Sequence, residues 1–223
     1  MYKSFFKPLI DRLLALIATI LLFIPMLLIA LLIYLDDPGP VLFKQKRVGK
    51  CKDGEIRYFN LYKFRTMKMC TPHDTPTHLL ENPEFYITKI GALLRRTSLD
   101  EIVQIPFNIL TGQMSIVGPR PALWNQDDLV AERAKYGANN IYPGLTGWAQ
   151  INGRDELEIP VKAKLDGDYT AALNAGCFKG LLMDFKCFFG TITSVLKSHG
   201  VVEGGTGELE KQKAKQQEEL LTK

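Results

Sequence analysis

Apolar residues are unevenly distributed along this chain. From Leu13 to Leu35, 23 consecutive residues carry no charge and are rich in Leu and Ile. As a straight helix this run measures about 34 Å, enough to cross the hydrocarbon core of a bilayer. A secretory signal peptide would have a shorter apolar region and a small-residue cleavage site. The segment Tyr34-Leu35-Asp36-Asp37-Pro38-Gly39-Pro40 that follows is a poor site. Pro25, at the centre of the run, predicts a kink, tolerated in lipid where the freed carbonyl finds a partner. Lys3, Lys7 and Arg12 precede the run, and Lys44, Lys46, Arg47, Lys50 and Lys52 follow it. The positive-inside rule therefore puts both flanks on the cytoplasmic side. A helix that enters, bends at Pro25 and leaves by the same face satisfies that rule. An ordinary bitopic helix with a harmless proline is the alternative, because Asp36 and Asp37 blur the charge count.

Beyond the run the pattern changes period. Ile56 to Phe64 is aromatic and partly alternating and predicts a strand, with Asp53-Gly54 as a hairpin turn before it. Residues 71–83 hold three prolines with His73 and His78 and predict a surface loop; the two histidines lack an accompanying metal pattern. Residues 85–96 predict a helix ending in Arg95-Arg96, and further helices are expected over about 123–136, 160–175 and 180–197. The last contains the amphipathic stretch Leu181 to Phe189, too short and too charged to span but suited to a bilayer surface. From Glu203 the chain is Gly, Glu, Lys and Gln, a solvated polar tail. The predicted class is α+β, mostly helical: a re-entrant N-terminal membrane helix bent at Pro25, interfacial amphipathic helices and a small β-sheet or hairpin.

Composition narrows the function. The chain has 223 residues, 46% hydrophobic and 23% charged, which suits one domain with appendages and excludes a wholly disordered chain, a collagen-like chain and a multi-span transporter. A net charge of +4 gives no reason to expect a nucleic-acid partner. The nine Lys and Arg between residues 38 and 70 can bind anionic headgroups, making membrane lipids a partner. Cys51, Cys70, Cys177 and Cys187 lie far apart with no C-x-x-C, so neither a zinc knuckle nor a disulfide framework is expected.

Two features carry candidate chemistry. Ser98-x-x-Glu101 has the spacing of a capping box, with Ser98 as N-cap and Glu101 at N3. That reading leaves Asp100 at N2, where a helix N-terminus stabilises a carboxylate and so keeps it available as a nucleophile. Glu101 beside it could hold a hard divalent cation, since Mg²⁺ takes one or two carboxylates together with waters and substrate phosphates. The second feature is a set of guanidinium groups flanked by rigid residues, Arg65, Arg120 and Arg154, which suit bidentate phosphate binding; the plainer alternative for each is an arginine satisfying carbonyls.

Taken together, several segments lose their anonymity. Leu94-Arg95-Arg96-Thr97-Ser98-Leu99-Asp100-Glu101, Gly112-Gln113-Met114-Ser115-Ile116-Val117-Gly118-Pro119-Arg120-Pro121 and Pro143-Gly144-Leu145-Thr146-Gly147-Trp148-Ala149-Gln150-Ile151-Asn152-Gly153-Arg154 resemble the bacterial sugar transferases, the monotopic polyprenyl-phosphate phosphoglycosyl transferases. Lys63-Phe64-Arg65-Thr66-Met67 and the proline in the N-terminal helix match as well, and the likeness extends to about residue 202. The resemblance implies the small form of the family. Its parts are a re-entrant helix with its basic flank at 1–37, a cytosolic catalytic domain on the inner-membrane surface at 38–202, and a flexible tail at 203–223. It implies transfer of a sugar-1-phosphate from a UDP-sugar to undecaprenyl phosphate, with release of UMP, as the first membrane step of a polysaccharide or glycoconjugate. It implies Asp100 as nucleophile, Glu101 as the Mg²⁺ ligand, and Lys63, Arg65, Arg95, Arg96, Arg120 and Arg154 as substrate- or phosphate-binding residues. Lys162, Asp166 and Tyr169 fall at motif positions without an assigned role. A homodimer is one assembly found among relatives.

The chain departs from the family pattern in places. The proline usual two residues after the dyad is missing, Pro106 stands later, and the segment before Gly112 is one residue longer. Ile24 and Ile159 stand where serine and tryptophan are common. Two other functions compete: a membrane-tethered glycosyltransferase releasing UDP, with Asp127-Asp128 as its acid pair, and a non-catalytic membrane scaffold in which the dyad only caps a helix.

Overall fold

A computed structural model describes residues 1–71, 83–153 and 157–196. A π-helical turn at Tyr2–Phe6 leads into α1, Lys7–Asp36, which is continuous through Pro25. One proline removes one rung of the helix ladder, and the neighbouring turns hold the helix together. Among the described residues α1, with its preceding turn, is the one helix long and apolar enough to cross a membrane, with mean hydropathy 3.1 in its most apolar window. A narrow stripe of α1 faces the rest of the protein: Asp11, Ala15 and Ile33 are buried, and Met26, Ile29 and Ala30 are partly so. The remaining faces, including Leu13, Ile17, Ile20, Ile24, Leu28 and Leu31, are exposed.

Both ends of α1 are tied down. At the start, the Lys7 ammonium donates to Asp184 at 2.9 Å and Ser115 donates to Asp11. At the end, Asp36 accepts from the Ile90 amide at 2.9 Å, and Arg65 donates to Asp37 Oδ2 at 2.6 Å and to the Asp37 carbonyl.

The expected hairpin forms. β1 (Leu42–Val48) pairs antiparallel with β2 (Tyr58–Phe64), in register from Leu42 opposite Phe64 to Val48 opposite Tyr58. Asp53 and Gly54 turn the chain with φ of 55° and 82°, the pair of positive angles a type I′ turn needs, and Lys52 and Glu55 exchange both backbone bonds across it. A second, parallel pair joins β3 (Ser115–Val117) to β4 (Gly144–Thr146). Strands of three residues carry too little alternation to be read from the sequence. Here Gly118 and Gly144 let the two backbones meet: a Cβ on Gly144 would lie 2.1 Å from the Gly118 nitrogen.

The helix expected over 85–96 is two helices, α2 (Pro83–Tyr86) and α3 (Lys89–Thr97). Thr88 breaks them, accepting the Gly91 amide on its side chain at 2.9 Å as the cap of α3. After the dyad the chain forms a π-helical turn at Ile105–Ile109, closed by the Leu110 amide on the Ile105 carbonyl at 3.0 Å. A π turn holds one more residue than an α turn. Asn108, fully buried there, accepts from the Tyr62 amide and donates to the Asn60 carbonyl and Gln113 Oε1, at 3.1, 2.8 and 2.9 Å.

Four helices complete the fold: α4 (Asp127–Ala134), α5 (Trp148–Ile151), α6 (Ile159–Asn174) and α7 (Cys177–Leu196). Tyr2, Val117, Ile141, Tyr169, Leu173 and Cys187 make one core cluster joining the N-terminus to β3, α6 and α7. The four cysteines are unpaired, as expected. Asp166 and Tyr169 acquire structural roles. Asp166 is buried against Arg133, whose Nε donates at 2.8 Å and whose Nη2 lies 2.6 Å from the same oxygen. The Tyr169 hydroxyl donates to Asp184 at 2.6 Å and sits 2.9 Å from the Val117 carbonyl.

Removing one partner of a buried ion pair leaves an uncompensated charge. Asp166→Ala is therefore expected to destabilise the protein by about 3–5 kcal/mol. The double variant Asp166→Leu with Arg133→Met should recover most of that loss in denaturant unfolding of the micelle-bound protein.

Candidate active site

Lys63 is buried on the face of β2 that it shares with Leu61, while Phe64 is buried on the opposite face. Its ammonium lies 3.0 Å from Glu101 Oε1 and 3.9 Å from Asp100 Oδ2. Arg120 follows β3 between Pro119 and Pro121, whose rings fix φ on either side of the loop, and its Nη2 donates to the same Glu101 oxygen at 3.1 Å. Asp100 and Glu101 are only 7% and 8% exposed. Two adjacent carboxylates are thus buried under two cations supplied by separate elements.

The local backbone presents the dyad in an unexpected way. α3 ends at Ser98, which adopts the left-handed conformation (φ 57°, ψ 19°) with its amide on the Arg95 carbonyl at 3.2 Å. An L-residue there costs about 1–2 kcal/mol. The chain then makes a single 3₁₀ turn at Leu99–Glu101. The capping box is not formed: Ser98 both closes α3 and stands at the start of the 3₁₀ turn, but its side chain makes no cap bond. Asp100 sits in that 3₁₀ turn, not at N2 of a regular helix. The Glu101 carboxylate is taken up by Lys63 and Arg120, since a buried anion needs countercharge more than a helix start needs a second cap.

Burial by itself would push the Glu101 carboxyl up. The Arg120 guanidinium and the Lys63 ammonium more than reverse this and hold it well below the usual carboxylate range, so Glu101 is ionised at neutral pH.

The other expected site residues are distributed differently. Arg65 is bound to Asp37, at the end of α1, and its Nε is buried without a hydrogen-bond partner. Arg95 donates from Nε to Thr66 Oγ1 at 2.8 Å, just beyond β2. Arg96 is exposed on the last turn of α3. Arg154 lies outside the described residues, as do His73 and His78. Asp127 and Asp128 are exposed in the first turn of α4. Among the described residues no group of three or more His, Cys, Asp or Glu could enclose a metal ion, which leaves the Asp100-Glu101 pair as the candidate ligand set.

Sequence reasoning missed two neighbours of the dyad. Gln104 and Arg47 line a small cavity with Glu101, Arg120, Pro121 and Gly144. Gln104 could have been noticed as the one polar residue in Ile102-Val103-Gln104-Ile105. Arg47 carried no signal that separated it from the other basic residues of β1.

The family model described as bacterial sugar transferase matches residues 2–198. An exopolysaccharide production protein, PSS, of Rhizobium leguminosarum bv. phaseoli is 38% identical over 193 residues, covering 81% of this chain and 90% of that protein. A UDP-glucose:undecaprenyl-phosphate glucose-1-phosphate transferase of Xanthomonas campestris pv. campestris is 42% identical over 149 residues, covering 66% of this chain and 30% of that protein. A UDP-N-acetylgalactosamine-undecaprenyl-phosphate N-acetylgalactosaminephosphotransferase of Aeromonas hydrophila is 35% identical over 201 residues, or 88% of this chain and 45% of that protein. The chain thus spans less than half of the two relatives whose names state a reaction, and nearly all of the Rhizobium protein. With its family model matched over almost the whole described length, the chain belongs to the bacterial sugar transferase family.

Proposed function

We propose that this protein transfers a sugar-1-phosphate from a UDP-sugar to undecaprenyl phosphate, releasing UMP and leaving a polyprenyl-diphosphate-sugar. The observation that carries the reading is the buried Asp100-Glu101 pair under Lys63 and Arg120, in a chain that also holds a membrane-length helix. The printed reactions of the Xanthomonas and Aeromonas relatives support it.

In this reading an Asp100 carboxylate oxygen attacks the phosphorus that bears the sugar. An O–P bond to Asp100 forms, the bridging P–O bond of the diphosphate breaks, and UMP leaves with that electron pair. The terminal oxygen of undecaprenyl phosphate then attacks the same phosphorus and the Asp100 carboxylate is regenerated. Lys63 and Arg120 offset the negative charge that would otherwise repel a carboxylate nucleophile from a diphosphate. Mg²⁺ fits the residues present. Asp100 and Glu101 would hold the ion, beside the Lys63 and Arg120 cations; an open site of one or two carboxylates suits Mg²⁺ shared with substrate phosphates. When bound, the ion supplies further charge neutralisation on those phosphates.

The acceptor phosphate lies at headgroup depth, and the chain's anchoring suits that depth. Both ends of α1 are held by the body that carries the dyad. A bitopic helix would carry one end across the bilayer, away from that body. This, with basic residues on both flanks and a proline midway, supports a re-entrant helix that keeps the domain on the cytosolic face of the inner membrane. Phe178, Phe185, Phe188 and Phe189 on α7 are exposed and suit the bilayer surface.

Asp100→Asn is expected to hold transfer below about one thousandth of wild type while the melting temperature stays near wild type. The check is UMP release in nanodiscs with undecaprenyl phosphate, Mg²⁺ and a panel of UDP-sugars. Release of UDP instead would point to glycosyl transfer, and full activity of the variant would remove Asp100 from the chemistry. A second expectation follows from Glu101. Its folded-state pKa lies below the ordinary value of 4.5, so its contribution to stability is present above about pH 4.5 and is lost as pH falls below it. Glu101→Gln should show a shallower loss of melting temperature between about pH 4.5 and pH 3 than wild type.

A further inference from the structure

We infer that Gln104 is a substrate-contacting residue whose side-chain amide donates a hydrogen bond to a phosphoryl oxygen bound beside Glu101; this rests on the phosphosugar-transfer reading above. Gln104 is 98% buried, being 2% exposed, and its Nε2 has no hydrogen-bond partner. A buried amide nitrogen in that state is destabilising, and such groups are rare in folded proteins. Its neighbours Ile102, Val103 and Ile105 are apolar, so a residue such as Met would fill the space without leaving a donor unsatisfied. The structure therefore retains a polar group that the fold itself does not use.

Its surroundings indicate what would use it. Gln104 lines a cavity with Glu101, Arg120 and Arg47, and with the backbone around Pro121 and Gly144. Gln104 stands three residues after Glu101 in a helical stretch, a spacing that puts two side chains on one face. Arg47 is held by Gln45 Oε1, which accepts from its Nε at 3.1 Å, and by the Pro121 carbonyl, which accepts from its Nη1 at 3.0 Å. Arg47 thereby braces the loop that carries Arg120. An amide donor flanked by two guanidinium groups selects an anionic oxygen. Both substrates of the proposed reaction bring phosphoryl oxygens to Asp100, so the acceptor of this hydrogen bond belongs to the nucleoside-diphosphate sugar or to the polyprenyl phosphate.

The test compares wild type, Gln104→Met and Gln104→Glu as full chains in nanodiscs. Without substrate, Gln104→Met should melt no lower than wild type, because Nε2 makes no hydrogen bond within the protein to lose. With substrates, its KM for one of the two phosphate compounds should rise about tenfold or more, while kcat changes far less. Gln104→Glu should raise the same KM further by adding a third carboxylate beside Asp100 and Glu101. A rise in the UDP-sugar KM assigns the oxygen to the donor, and a rise in the undecaprenyl phosphate KM assigns it to the acceptor. Unchanged KM for both, or a Gln104→Met protein that melts well below wild type in the absence of substrate, would overturn the inference. The reading beneath it fails separately, by absence of UMP release from the wild type. In that event calorimetric titration with UDP and Mg²⁺ decides: weaker binding by Gln104→Met than by wild type supports the phosphate contact, and equal or absent binding removes it.

Discussion

Two adjacent carboxylates cannot be buried without countercharge. Desolvating one costs several kcal/mol even after the protein relaxes, and a second beside it adds repulsion. Lys63 and Arg120 meet that demand at Glu101, and they come from distant parts of the chain. Lys63 requires the β1–β2 hairpin to place its inward face over the dyad. Arg120 requires the β3–β4 pair and a loop stiffened by two prolines. The dyad requires α3 to end in a left-handed serine. Asn108 ties these parts by bonding the backbone of β2 from the π turn that follows the dyad. The small sheets matter less for their own stability than for bringing cations from two loops to one carboxylate oxygen.

A second polar centre does similar work at the other end of the molecule. Asp184 on α7 receives the Tyr2 and Tyr169 hydroxyls and the Lys7 ammonium. This locks the start of α1 to α6 and α7, while Asp36 and Asp37 lock its end near α3 and β2. The apolar helix is thereby fixed in orientation relative to the dyad. The proposed reaction, with its acceptor phosphate at headgroup depth, would need that rigidity, because displacing the reacting groups by about 1 Å can cost a hundredfold in rate.

Much of this was legible in the sequence where a pattern was long or a turn chemically specific. The uncharged run became α1, Asp53-Gly54 became the hairpin turn, and the segment rich in aromatic residues became β2. Lys63, Asp100, Glu101 and Arg120 were singled out, and the structure brings Lys63 and Arg120 to Glu101 and Lys63 to within 3.9 Å of Asp100. The failures have physical causes. Ser98-x-x-Glu101 has a capping-box spacing, but spacing cannot reveal that two cations compete for the glutamate. The helix over 85–96 breaks at Thr88 because a threonine side chain can replace a backbone acceptor. The ion pair of Arg65 with Asp37 joins residues 28 apart and is encoded by no local pattern. Gln104 was passed over because a single glutamine in an apolar stretch has no periodic signature.

The central claim is that Asp100 holds the phosphosugar covalently between the two halves of the reaction. It is tested most directly by mixing the nanodisc-bound protein with Mg²⁺ and its UDP-sugar in the absence of undecaprenyl phosphate. The reaction is then quenched under denaturing conditions, and intact-mass and peptide-level mass spectrometry follow. The prediction is a mass increase of one sugar phosphate on the peptide containing Asp100, formed with a matching amount of UMP and removed when the acceptor is added. UMP that forms only once undecaprenyl phosphate is present, with no adduct at any time, would contradict it and require direct transfer from donor to acceptor.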